Sequence, residues 1–80
     1  MDKKIALLAI IVSDVSKIEQ VNSLLHCYRD FVIGRMGIPY RERGVNIISI
    51  ALDAPQETIN SLSGKLGMID GVSSKVLVTK

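Results

Sequence analysis

The chain has no tryptophan, one phenylalanine, one histidine and one cysteine. A lone cysteine, Cys27, cannot form an internal disulfide, so a reducing cytoplasm is the default compartment. A lone histidine, His26, leaves one chain without the four-ligand set of a structural zinc site. Charge of one sign is also scarce. A net +2 is too small to mark a nucleic-acid binder, and acidic residues interleave with the scattered basic ones. No apolar run approaches the roughly 18 residues that a membrane helix needs. The nearest, residues 5–12, follows a charged Asp2-Lys3-Lys4 head as in a signal peptide. Ser13-Asp14 then arrives at once with no small-residue cleavage site, so a strand is expected there instead. Ser-His-Asp patterns, carboxylate pairs and cofactor fingerprints are missing too, so neither an enzyme nor a cofactor is expected.

What the chain does have is apolar mass. Hydrophobic residues make up 48% of it, which suits a packed globule and excludes a disordered tail. Its 80 residues form a single domain, 1–80. A domain this small buries only roughly 60–65% of the surface its unfolded form exposes. With no crosslink available, self-association is the expected supplement.

The pattern gives four strands and two helices. Residues 4–13 are apolar on both parities, as in a central strand covered on both faces. Ser16 and Glu19 are spaced as a capping box. Ile18, Val21, Leu24, Leu25 and Tyr28 then recur at helical spacing, giving a helix over 17–28. Residues 30–38 read as a second strand, placed at a sheet edge because Pro39 cannot donate to a ladder, and residues 40–44 as a turn. Residues 45–53 form a third strand, with Val45, Ile47 and Ala51 on one face and Ile48, Ile50 and Leu52 on the other. Pro55 suits the first position of a helix over 55–67, whose stripe is Ile59, Leu62, Leu66 and Ile69. Gly64 inside that helix costs about 1 kcal/mol relative to alanine, which close packing on the sheet is expected to offset. Gly67 ends the helix, Asp70-Gly71 makes a turn, and residues 72–79 are the last strand.

This β-α-β-β-α-β order with right-handed crossovers defines an α+β, ferredoxin-like sandwich. It has a four-stranded antiparallel sheet of order 4-1-3-2 and both helices on one face. The first and third strands are apolar on both faces, so one apolar face is left without an internal partner. A homo-oligomer, dimer or tetramer, is expected to cover it. Charge at Ile10 or Ile48 would dissociate that assembly or unfold the chain, depending on which side they occupy.

The candidate site is the stretch from Gly34 to Gly44, which holds Arg35, Arg41 and Arg43. Forked guanidinium groups grip carboxylates and phosphates. Arg35 is the best placed. It sits in a strand between Gly34 and Gly37, with its side chain on the face opposite Gly34 and Met36. Arg41 and Arg43 belong to the turn, and Tyr40 is able to stack on a ligand. The plainer reading is a solvated hairpin tip in which Glu42 and Asp30 pair with the arginines. His26 and Cys27 are soft-metal ligand types, but helix neighbours point about 100° apart, so one chain cannot present both to one ion. Copies in an oligomer could. The plainer alternative is a partly buried cysteine beside a histidine facing the helix C-terminus. Ser63-Gly64-Lys65 lies inside a helix without the upstream glycines of a phosphate loop.

The run Gly34-Arg35-Met36-Gly37-Ile38-Pro39-Tyr40-Arg41-Glu42-Arg43-Gly44 carries a wider resemblance. With Ile47-Ile48-Ser49-Ile50, Leu62-Ser63-Gly64-Lys65-Leu66-Gly67 and Gly71-Val72, it resembles the iron-only hydrogenase system regulators, small ACT-like, ferredoxin-like domains. The resemblance implies an oligomeric, bacterial, cytoplasmic protein. The 34–44 hairpin is then expected to serve a regulatory domain by binding a small anionic ligand or a protein partner. Amino-acid-sensing ACT domains carry Asp-x-Pro-Gly after the first strand. Here Asp14-Val15-Ser16-Lys17 stands in its place, so no amino acid is expected at that turn. The nickel-responsive repressor has a metal-sensing domain of the same fold, but it uses several histidines and a ribbon-helix-helix segment. Neither is visible here, so direct DNA binding is not expected.

Overall fold

The computed structural model describes residues 2–79. Its elements are β1 (Lys3–Val12), α1 (Ile18–Cys27), β2 (Val32–Tyr40), β3 (Val45–Pro55), α2 (Gln56–Gly67) and β4 (Val72–Val78). Short 3-10 turns occupy Val15–Lys17, Arg29–Phe31 and Arg41–Arg43. The sheet runs β2-β3-β1-β4 with every neighbouring pair antiparallel. This is the expected order, with β2 and β4 at the edges. Pro39 lies in β2 opposite Asn46, on the edge strand where its missing N–H is tolerated.

One sheet face makes the core. Ala6, Leu8, Ile10 and Val12 of β1 meet Ile48, Ile50, Leu52 and Ala54 of β3, and all eight are buried. Val21 and Leu25 of α1 and Ile59, Leu62 and Leu66 of α2 close over them. Alternate residues of β1, by contrast, are exposed, so β1 is not covered on both faces within one chain. Two helices in one layer reach only one side of a sheet. Ile10 and Ile48 lie on the helix side, at 1% and 3% exposure. A charge at either would therefore disrupt the core.

Four local expectations need correction. The Ser16–Glu19 capping box does not form. The chain enters α1 through a 3-10 turn, so the cap falls earlier, on Asp14. Its Oδ1 accepts from Ser16 N at 3.0 Å and from Ser16 Oγ at 2.6 Å, while Lys17 at the start of α1 makes no side-chain cap. Those two bonds, the hydroxyl's first, hold the Asp14 carboxyl below the usual carboxylate range. Pro55 is not inside the helix. Its ψ of 151° ends β3, and α2 starts at Gln56. Gly67 does not terminate α2 in a left-handed cap, because Met68 after it is still right-handed. The reversal comes at Gly71, with φ 79°. A Cβ there would lie 2.7 Å from Asp14 Cβ, so glycine is required on both counts. Lastly, Gly64 is exposed, and a Cβ on it would meet nothing within 4 Å. No packing on the sheet offsets its helix penalty.

β2 also starts later and ends later than expected, because Arg29–Phe31 forms a turn. Its pairing with β3 contains a bulge. Val32 stands opposite Leu52 and Gly34 opposite Ala51, so two residues of β2 are spent on one step of β3.

Candidate functional site

The helix layer stops short of β2. Every residue of β2 after Val32 is exposed, which leaves a groove between α1 and this edge strand. Asn22, Leu25 and His26 of α1 form one wall, Val32 and Arg35 the other, and Ile50 of β3 the floor. The pocket they line, together with Arg29, holds about 300 Å³. A second hollow of about 220 Å³ continues along the same groove, floored by Ile48 and walled by Ile18, Gly37 and Pro39. Arg35 and Asn22 line both. Between them Arg35 Nη2 donates to Asn22 Oδ1 at 2.6 Å, tying the edge strand to the helix.

Register explains the placement of Arg35. It stands opposite Ile50, a core residue, so it faces the helix side. Met36 stands opposite Ser49 and faces the other way. The expectation that Arg35 and Met36 point oppositely therefore agrees with the observed register. A strand places a guanidinium more firmly than a loop does, and the bond to Asn22 removes part of its remaining freedom. Among the described residues Nε and Nη1 of Arg35 have no hydrogen-bond partner, so most of the donor fork remains open.

The candidate binding residues of the 34–44 stretch, Arg35, Met36, Gly37, Tyr40, Arg41 and Arg43, do not form one cluster. Arg35 and Gly37 line the groove. Met36 and Tyr40 lie on the open face of the sheet with Ile38, each opposite a β3 residue of that face. Arg41 and Arg43 occupy the exposed 3-10 turn at the hairpin tip, which Gly44 closes with φ 64°. Glu42 accepts a hydrogen bond from Tyr40 Oη at 3.2 Å. His26 lines the larger pocket, and Cys27 is exposed, not partly buried. Among the described residues no group of three or more His, Cys, Asp or Glu comes together.

Two contributors were not singled out from the sequence. Asn22 follows Val21 on the flank of the apolar stripe, where a polar residue reads as an ordinary boundary. Arg29 lies beyond the helix, and its Nη1 donates to His26 O at 3.0 Å, satisfying a carbonyl at the C-terminus of α1. A third feature ties the helices together away from the groove. Tyr28 Oη and Ser61 Oγ share a hydrogen bond of 2.9 Å, and Lys65 Nζ lies 5.5 Å from the Tyr28 ring centroid. The Ser61 bond, followed by Lys65, lowers the pKa of the Tyr28 hydroxyl.

The opposite face of the sheet carries Ile5, Leu7 and Ile11 of β1, Ile47 of β3 and Leu77 of β4, all exposed. Met36 and Ile38 extend it across β2. Its charged residues stand toward its margins: Asp53 is opposite Ile5, and Lys75 is on edge strand β4 beside Ala9.

A four-stranded antiparallel sheet with one helix layer and one open apolar face defines a small α+β domain of the ferredoxin-like class. Residues 4–76 match the family model described as "TM1266-like: Iron-only hydrogenase system regulator, putative", and the chain belongs to that family. A solved structure, that of uncharacterized protein TM1266 from Thermotoga maritima, is 41% identical to it. The match covers 99% of this chain and 100% of that one, with a TM-score of 0.94. No curated protein matches the chain. No helix among the described residues is long and apolar enough to cross a membrane.

Proposed function

We propose that this chain is a homo-oligomeric regulatory domain of a bacterial iron-only hydrogenase system, acting in the cytoplasm by binding rather than by catalysis. Two or more copies cover one another's open sheet faces. The groove beside Arg35 receives a small anionic effector or a carboxylate of a protein partner. The observation that carries this reading is the open face itself, where Ile5, Leu7, Ile11, Met36, Ile38, Ile47 and Leu77 are all exposed, with each of the four strands contributing. A second copy is the occupant that suits it. A face with its charge at the margins needs no complementary charges, and a two-fold axis matches it to itself. Each Å² covered contributes about 25 cal/mol, which a domain of this size needs.

The test has two arms. Light scattering after size exclusion should give a dimer or larger, and a clean monomer of 8.7 kDa at micromolar concentration would refute the assembly. Arg35→Ala should then be compared with Arg41→Ala for folding, oligomer mass and hydrogenase maturation in a host that depends on the protein. Arg35→Ala should impair maturation while keeping fold and mass. Arg41→Ala, at the solvated tip, should act weakly and in a salt-dependent way. If a folded, assembled Arg35→Ala protein supports normal maturation, the groove is not the effector site.

A metal-responsive reading rests on His26 and Cys27, both exposed on one helix end. It requires copies of one or both to meet across subunits. Stoichiometric zinc or nickel that survives dialysis, and is lost in both His26→Ala and Cys27→Ala, would establish it in place of the anion reading.

A further inference from the structure

We infer that the groove between α1 and β2 is a binding site for small carboxylic acids that carry a short aliphatic body and no ammonium group. The inference rests on the regulatory reading above and gives its effector a chemical class.

The groove has three properties that together select such a ligand. The first is charge. Two arginines, Arg29 and Arg35, and one histidine line the larger pocket, and no carboxylate lines it or the adjoining hollow. In a chain with eight acidic residues, a lining that gathers cations and no anions favours negative ligands. The second is geometry. Arg35 is held on a strand by the 2.6 Å bond to Asn22, which uses one of the two Nη2 hydrogens; the second, paired with Nε or Nη1, still completes one edge of the fork. A planar fork of this kind matches a carboxylate in bidentate fashion. The third is the floor. Leu25, Val32 and Ile50 surround the base of the pocket; Leu25 and Ile50 are already buried, so half-buried Val32 is the apolar surface that a bare inorganic anion would leave wet.

Size narrows the class further. The pocket holds about 300 Å³, at the small end of ligand pockets. At roughly 30 Å³ per water-sized atom it accommodates on the order of ten non-hydrogen atoms. The missing acidic partner matters for specificity. An α-ammonium would sit beside two guanidinium groups with no carboxylate to neutralise it, so a free amino acid is disfavoured relative to the acid lacking its amino group. A ligand this small binds on the order of millimolar, within the range of an NMR titration.

The experiment titrates 15N-labelled full-length protein with 4-methylpentanoate, 4-methylpentanamide, L-leucine and inorganic phosphate. 4-Methylpentanoate should shift the amides of Asn22, Leu25, Val32 and Arg35. The other three should bind at least about tenfold more weakly, since each lacks the carboxylate, the bare acid end or the aliphatic body. Arg35→Gln should weaken 4-methylpentanoate by a similar factor. Arg35→Lys keeps the charge without the fork and should fall between the two, which serves if Arg35→Gln is poorly folded. Equal binding of the amide, of leucine or of phosphate would overturn the inference. So would shifts confined to the open face around Ala9 and Ile11, or full affinity in Arg35→Gln. Light scattering on the same samples separates the two readings. A monomer that binds 4-methylpentanoate refutes only the assembly, and an oligomer that does not bind it refutes only this ligand class.

Discussion

Leu7 and Leu8 are the same residue type at consecutive positions of one strand, yet Leu8 is 1% exposed and Leu7 is 47% exposed. The same contrast repeats along β1 and β3, with Ile10 against Ile11 and Ile48 against Ile47. The two faces of the sheet are made of similar material and differ in what lies over them. One is closed by Val21, Leu25, Ile59, Leu62 and Leu66 from the helices of the same chain. The other has no cover from its own helices. Side-chain chemistry alone therefore does not say which face a domain keeps for itself and which it presents outward. The crossover connections decide that, because both carry their helix to the same side of the sheet.

Substitutions on the two faces should separate these roles. The largest effect is expected from Ile10→Asp. An unpaired carboxylate in the closed layer costs about as much as the whole stability of a small domain, so circular dichroism should show loss of cooperative unfolding. Leu7→Glu, a few residues away on the other face, should keep its native spectrum while its light-scattering mass falls to that of one chain. If Leu7→Glu unfolds instead, or stays assembled, the division between an inward and an outward face is wrong.

Gly71→Ala probes the loop where β4 meets the entry to α1. It sets a left-handed residue and a 2.7 Å approach to Asp14 Cβ against the fold, and should cost about 1–3 kcal/mol in denaturant titration. The strain lies at the end of both faces, so oligomer mass should not change. The smallest effect should come from Gly64→Ala on the outer side of α2, where a Cβ meets nothing. It should stabilise the chain by about 0.5–1 kcal/mol. Loss of assembly in Gly64→Ala would show that the helix layer is itself an interface and would break the two-face contrast from the other direction.

Much of this architecture is legible in the sequence, for identifiable reasons. The β-α-β-β-α-β order with right-handed crossovers sets the strand order, Pro39 marks the edge, and period-two alternation puts Arg35 and Met36 on opposite faces. The identity of the open face is only weakly legible: β1 is Ile, Leu and Ala on both parities, and the one hint lies in β3, whose outward parity carries Ser49 and Asp53 while its inward parity is apolar from Ile48 to Ala54. The groove is half legible. Arg35 stands out among glycines, but Asn22 and Arg29 come to it from α1 and the following turn, and no local pattern encodes a contact between a helix and a strand that close against each other later. The cap at Asp14 was hidden for a smaller reason: a 3-10 turn moved the helix start, and the Ser16–Glu19 spacing presupposes an entry without one.

The bulge in β2 has a consequence for how this strand tolerates insertions and deletions. Pairing is fixed at both ends, by Val32 against Leu52 near the helix and by Tyr40 against Val45 at the hairpin. Counted between those anchors, β2 is one residue too long for an unbroken ladder, and the surplus is absorbed beside Ile33. Side chains alternate between two faces, so an odd surplus taken up anywhere else would exchange the faces for every residue beyond it. Arg35 would then leave the groove, and Met36 and Ile38 would enter it. Loss of the single residue Ile33 would instead remove the surplus where it is stored and leave both faces as they are. Loss of Met36, three positions on, would invert the hairpin end of the strand unless the bulge gave up its residue in exchange. In lineages that lengthen or shorten this strand, length changes should therefore accumulate at position 33 and be scarce from 35 to 38.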